Sequence, residues 1–154
     1  MSPKSLFRRA AVAEAVTWAL LLVGMALKYL TRTTELGVTV FGMVHGVVFI
    51  AFCLTTVFVA VNQRWSLRAT ATGLASAVPP FCTVVFDKGA ERRGMLEGGW
   101  RLAPGSGERP HGLAERAQSW MLHRPGLAVA LALVAVAALT GLALLVGPPV
   151  PAQS

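Results

Sequence analysis

The sequence predicts an all-α integral membrane bundle, and three observations carry that prediction. Apolar side chains make up 55% of the 154 residues and charged ones only 14%, about half the charge of an average soluble domain. A soluble chain this short could not bury so much apolar surface in one core, and disordered chains are poor in apolar residues. The charges are also grouped. Glu14 alone stands between Arg9 and Lys28, and none stands between Glu35 and Arg64, between Arg68 and Asp87, or after Arg124. Finally, the uncharged runs have the length of helical spans, about 20 residues at 1.5 Å rise each, and not that of ten-residue barrel strands.

Four stretches meet the criterion: 10–27, 36–61, 69–86 and 126–146. They divide the chain into a three-helix membrane unit (1–88), a polar segment (89–125) and a fourth helix with a Pro-rich tail (126–154). The first stretch follows Lys4, Arg8 and Arg9 in the manner of a signal peptide. Glu14 interrupts its apolar run, however, and Lys28 stands where a small-residue cleavage site belongs, so this helix is expected to be retained. The third stretch is rich in Thr, Ser and Ala and is broken by Pro79-Pro80. It reads as a kinked span, with a re-entrant segment as the alternative.

The polar segment has two parts. Lys88 to Pro110 is Gly-rich and reads as a flexible loop. From His111 to His123, Leu113, Ala117, Trp120 and Met121 fall on one helical face opposite Glu115, Arg116 and Ser119. This is either an interfacial helix or the solvated start of the last span. Orientation stays open at this level. With four spans, five basic residues (Lys4, Arg8, Arg9, Arg64, Arg68) lie on the N-terminal side and the other nine opposite, against the rule that would place the N-terminal cluster in the cytoplasm. The net charge of +7 favours anionic lipid head groups. Nothing offers the aromatic-interleaved basic surface of a nucleic-acid binder.

Ionisable groups within lipid are costly and ask for a partner or a role. Glu14 shares a helical stripe with Trp18, Leu21, Met25 and Lys28. It serves either as an interface residue that snorkels or pairs with Asn62, Arg64 or Arg68, or as a proton or ligand site. Lys28 and Asp87 end the first and third helices, which in a four-span topology emerge together, so they form an ion pair or each snorkels to water. His45 stands between Gly42 and Gly46, whose four-residue spacing suits close helix approach. It reads as a packing histidine bonded to a neighbour's carbonyl or hydroxyl, or as a titratable group acting with Glu14. Cys53 and Cys82 have no CxxC spacing or histidine pair, which argues against a disulfide scaffold or a zinc site. No paired carboxylates, activated nucleophile or phosphate loop appears at a convincing spacing, so no enzyme activity and no cofactor are expected.

Taken in order, Phe7-Arg8, Glu14, Leu27-Lys28-Tyr29, Gly42, His45-Gly46-Val47-Val48-Phe49, Ala75-Ser76, Pro80-Phe81-Cys82-Thr83 and Phe86-Asp87-Lys88 resemble a bacterial integral membrane family of unknown function, number 3817, the YdzA-like membrane proteins. The resemblance covers about residues 7–88. The family commonly has glycine at the position of Cys82 and a proline ahead of the Lys-Tyr pair, where this chain has Ala26-Leu27. It implies a three-helix membrane unit without an established activity, and it points to Glu14, Lys28, His45, Gly46, Pro80 and Asp87. The expected protein is therefore a multi-pass component of the bacterial plasma membrane. Its expected role is structural or accessory, packing on another membrane protein or on itself through Gly42, Gly46 and the last helix. The alternative is a small oligomeric transporter or proton-linked carrier using Glu14 and His45.

Overall fold

In the computed structural model, residues 1–146 are described. The Pro-rich tail expected from 147 onward lies outside them. Among the described residues there are six helices and no strand: α1 (Pro3–Tyr29), α2 (Leu36–Gln63), α3 (Leu67–Ala75), α4 (Cys82–Arg92), α5 (Leu113–His123) and α6 (Pro125–Val146). Three of them, α1, α2 and α6, are long and apolar enough to cross a membrane.

α1 begins where the Ser2 hydroxyl accepts the Ser5 amide at 3.2 Å, with Pro3 in the first turn, where its missing N–H costs nothing. It packs antiparallel to α2. Near their junction the backbones touch: a Cβ built on Gly24 would lie 2.7 Å from the carbonyl carbon of Gly37. The sequence reading placed close approach at Gly42 and Gly46 instead. Within the chain, a Cβ on Gly42 would meet only Leu21, at 3.8 Å, and one on Gly46 would meet nothing within 4 Å. The spacing rule finds small faces but does not say which one a neighbour covers.

The expected third span, 69–86, is two short helices. α3 has nine residues and α4 eleven, about 14 and 16 Å of helix against a hydrocarbon core of about 30 Å. The break spans Ser76 to Phe81. Pro79 and Pro80 supply no amide donors and disfavour helix at the residue before each, and Phe81 adopts φ 64°. The chain reverses there. Trp18 donates its indole N–H to the Ala77 carbonyl at 3.2 Å, the Thr83 hydroxyl lies 3.2 Å from the Ala11 carbonyl, Arg8 meets Asp87 at 2.8 Å and Lys4 meets Glu91 at 2.5 Å. As the partner number on α1 falls from 18 to 4, that on the hairpin rises from 77 to 91. α4 therefore returns toward the end of the bundle where α3 began, and Trp65 closes the mouth of the hairpin with an indole hydrogen bond to the Met95 carbonyl at 2.9 Å.

This hairpin corrects the anticipated Lys28–Asp87 pair. Lys28 meets Glu35 at 3.3 Å at one end of the bundle, while Asp87 meets Arg8 at the other. A segment that turns back brings its last residues to the end it entered from.

The core sits between α1, α2 and the hairpin. Phe7 is fully buried, with ring centroids 5.6 Å from Phe52, 5.7 Å from Trp65 and 6.0 Å from Phe86, within the range where aromatic pairs attract beyond their area. Gly73 lets α3 into this cluster, since a Cβ there would meet Thr56 and Phe86 at 3.1–3.2 Å. The segment read as a flexible loop is tied down: Leu96 and Leu102 are buried, and Trp100 stacks on Phe58 with centroids 5.3 Å apart and donates to the Met1 carbonyl. α6 packs along α2 and has no buried residue.

Candidate functional site

Three polar clusters join the helices. The innermost lies between α1, α2 and α4. Glu14 is fully buried and accepts a hydrogen bond from the Thr83 hydroxyl at 2.7 Å through one carboxyl oxygen. Its other oxygen, Oε1, has no hydrogen-bond partner among the described residues. One turn on, the Thr17 hydroxyl lies 2.9 Å from the Glu14 carbonyl and 3.0 Å from His45 Nδ1. The Trp18 ring packs on the imidazole with centroids 4.5 Å apart. Glu14 and His45 thus share a neighbourhood, each joined to a hydroxyl on another helix. Asn62, Arg64 and Arg68, weighed as partners of Glu14 from sequence, are engaged elsewhere or exposed. Thr83 was not singled out, although it ends the Pro80-Phe81-Cys82-Thr83 motif. A threonine in an apolar run gives no sign of its partner until the hairpin brings it opposite α1.

Replacing Thr83 with valine removes the hydroxyl that bonds Glu14 and leaves a carboxylic oxygen without a donor in an apolar interior. The expected cost is about 1–2 kcal/mol. A double-mutant cycle with Glu14→Gln, read by unfolding in micelles, should be clearly non-additive. Additive effects would mean that the two side chains do not act on each other.

The second cluster ties the hairpin's exit to the start of α1. Asp87, 4% exposed at its side chain, meets Arg8, and Glu91 meets both Lys4 and Arg8. The third closes the C-terminal end of α2. The Arg101 guanidinium donates to the carbonyls of Val61 and Asn62, the groups a helix leaves unsatisfied at that end. It also meets Glu115 at 2.8 Å and Glu108 at 2.5 Å. Asn62 donates to the Gly99 carbonyl at 3.1 Å and accepts the Arg101 amide at 3.0 Å, and Gln118 donates to the Phe58 carbonyl at 2.6 Å. Sequence reasoning missed this cluster because Arg101 lies in a stretch whose glycines signal only a loop.

Two carboxylates at this end of the bundle sit well below their ordinary range. Hydrogen bonds from Lys4 and then Arg8 hold Glu91 down to about 2, and the His111 amide followed by Arg101 holds Glu115 to about 2. Both folded values lie below the usual 4.5. The pairing therefore stabilises fully above about pH 4.5 and is lost as the pH falls toward 2. Hydrogen exchange across residues 95–110, corrected for its intrinsic pH dependence, should be flat from pH 7 to 5 and accelerate below about 4. Acceleration beginning near pH 6 would contradict this assignment.

Of the other residues singled out from sequence, Lys28 bridges to Glu35 beside the Tyr29 ring, and Pro80 is exposed in the turn between α3 and α4.

Comparison with known proteins covers the part of the chain that holds the two inner clusters. Residues 4–92 match the family model described as a domain of unknown function, DUF3817. The chain is 52% identical over 87 residues to the membrane protein SCO5905 of Streptomyces coelicolor, a match covering 56% of this chain and 10% of that protein. The chain thus spans about a tenth of that relative's length. It is 36% identical over 70 residues to the uncharacterized membrane protein YdzA of Bacillus subtilis, covering 46% of this chain and 72% of the relative. No solved structure matches the chain. The matched segment ends with α4, so the α1–α2 hairpin and the helical turn-back are the shared unit, and the capping loop, α5 and α6 lie beyond it. With the match extending over more than half its length, this chain is a membrane protein of the DUF3817 family.

Proposed function

We propose that the protein is a multi-pass component of the bacterial plasma membrane with a structural or accessory role, packing through α6 against another membrane protein or a second copy of itself. The observation that carries this reading is the state of α6: 22 residues, apolar on every face and without one buried side chain. Its exposed surface is built of small and aliphatic residues, among them Ala132 and Ala143, while Ala128, Ala135 and Gly141 are half-buried. Small residues let helix backbones approach closely in lipid. The Streptomyces relative, in which the matched segment is a tenth of a longer chain, supports a unit that works alongside other parts. Glu14 and His45 are each bonded to a neighbouring helix, the arrangement of a fastening, so the reading includes no catalytic step and no carrier cycle.

The hairpin also supports one orientation. Because α3 and α4 enter and leave at one end, the N-terminus, the α2–α3 turn and the whole of 88–124 share that end. Of the fourteen Lys and Arg, only Lys28 and Arg32 lie at the other. Twelve against two is the distribution expected of a cytoplasmic face. This reading puts the N-terminus inside with three spans and one half-depth hairpin.

Two measurements test the proposal. Single cysteines at Arg68, Lys88 and Arg109, in a chain without Cys53 and Cys82, should all be protected from an impermeant thiol reagent in intact cells, while one at Arg32 is labelled. Recovery from native membranes in mild detergent should yield a partner or an oligomer that Ala132→Phe with Ala143→Phe, both on one exposed face, abolishes. A protein that crosslinks to nothing in its own membrane and stays monomeric would overturn the accessory role.

A further inference from the structure

α5 is amphipathic in the opposite sense to a helix that packs on a core from water. Its polar residues Glu115 and Gln118 are the buried ones, 9% and 2% exposed, while Leu113 is 83% and Trp120 42% exposed. Leu113, Ala117 and Trp120 follow one another at spacings of four and three and are all exposed, so they form one outward stripe. The inward side is tied to the protein. Glu115 meets Arg101 at 2.8 Å and Arg64 at 3.4 Å, and Gln118 donates to the Phe58 carbonyl at 2.6 Å.

Those ties fix the level of α5. Phe58 and Arg64 lie six residues apart at the end of α2, about 9 Å along its axis, and they bracket Val61, the last aliphatic residue of that span. The C-cap residue of α5, Arg124, is followed at once by α6, itself long and apolar enough to cross. The outward stripe therefore lies where hydrocarbon gives way to head groups. Arg124 stands over the Trp120 ring, 5.7 Å from its centroid, and Arg116 is exposed beside the stripe. Neither forms an ion pair among the described residues. Aliphatic side chains flanked by an indole and unpaired guanidiniums have the composition that the boundary between acyl chains and head groups favours. A protein partner is the poorer fit, since a specific protein interface takes about 20–30 residues a side and this stripe offers three.

We propose that α5 is an interfacial anchor, with Leu113, Ala117 and Trp120 embedded among the upper acyl carbons of the leaflet at this end of the bundle and Arg116 and Arg124 reaching the head-group phosphates. Guanidinium suits the second task because its fork of donors matches phosphate oxygens. The anchor holds the capping segment against the membrane, and it is independent of the proposed packing through α6.

The test uses the full chain without Cys53 and Cys82, reconstituted in vesicles of phosphatidylcholine and phosphatidylglycerol, with a single spin label on Leu113→Cys, Ala117→Cys or, in the loop, Arg109→Cys. Oxygen, which concentrates in lipid, should relax the labels at 113 and 117 several-fold more than a water-soluble nickel chelate does, and the label at 109 should show the reverse. Relaxation of the first two by the chelate as strongly as the third puts the stripe in water and overturns the anchor. Weak relaxation by both agents means that a second copy covers the stripe, and overturns it as well. A second measurement needs no label. The emission lost on Trp120→Phe should be quenched in the parent protein by lipids brominated on the upper acyl carbons and spared by aqueous iodide, and the opposite pattern overturns the proposal. Ala132→Phe with Ala143→Phe, which breaks the proposed α6 contact, should leave both readouts unchanged. A stripe that becomes lipid-exposed only in that variant belongs to the α6 contact instead, and the anchor falls while the packing role stands.

Discussion

Replacing Gly24 with leucine will separate the first two helices and destabilise the bundle by about 3 kcal/mol or more. The added Cβ alone would lie 2.7 and 2.8 Å from backbone atoms of Gly37 and 3.0 Å from the amide nitrogen of Val38. Backbone cannot rotate aside as a side chain can, so the helices must part, and the packing at Trp18, His45 and Thr17 parts with them. Gly46→Leu is the control: nothing in the chain lies within 4 Å of its Cβ, and monomer stability should change by no more than about 0.5 kcal/mol. Unfolding in detergent micelles distinguishes the two. Equal effects would mean that the Gly24–Gly37 crossing is not the tight point of the bundle.

Loss of the Arg101 side chain is the second large effect expected. Arg101→Ala leaves the Asn62 carbonyl at the end of α2 without this donor and the Val61 carbonyl with only the Arg64 amide at 3.4 Å, and it leaves Glu115, with its side chain 12% exposed, to Arg64 and the His111 amide. Removing one member of a largely buried ionic set costs more than the set contributes, because the remaining charge keeps its desolvation penalty. The cost should be about 2–3 kcal/mol. It should appear as faster hydrogen exchange in residues 95–110 and in the last turn of α2, with α1 unaffected. Arg101→Lys should recover little, since one ammonium cannot span two carbonyls and two carboxylates. Exchange unchanged from the parent protein would show that the loop is held by Leu96, Trp100 and Leu102 alone.

Much of the fold was legible because hydrocarbon imposes a one-dimensional rule. Every backbone group in lipid must bond within its own helix, so length, apolar content and charge gaps place α1, α2 and α6 without reference to one another. Glu14 and His45 were legible as interior residues by the same cost argument. Thr83 was not, since a threonine is unremarkable on an apolar helix until a carboxylate faces it. Lys28 and Asp87 were paired in expectation on the premise that 69–86 crosses the membrane, and the premise failed at Pro79-Pro80. Proline signals a break in a helix but carries no information on whether the chain continues forward or turns back.

What the amino-acid order determined by itself was which segments are helical, which are apolar enough to leave water, and which family they belong to, since each depends on local composition and spacing. What only the tertiary structure decided was pairing and sidedness: Gly24 on Gly37, Thr83 on Glu14, Arg101 on the end of α2, and twelve of the fourteen basic residues at one end. These are relations between residues up to 99 positions apart, as in Met1 and Trp100. The Thr83–Glu14 contact and the shared end of the basic residues follow from the direction of one turn at residues 76–81, which propensity leaves undecided.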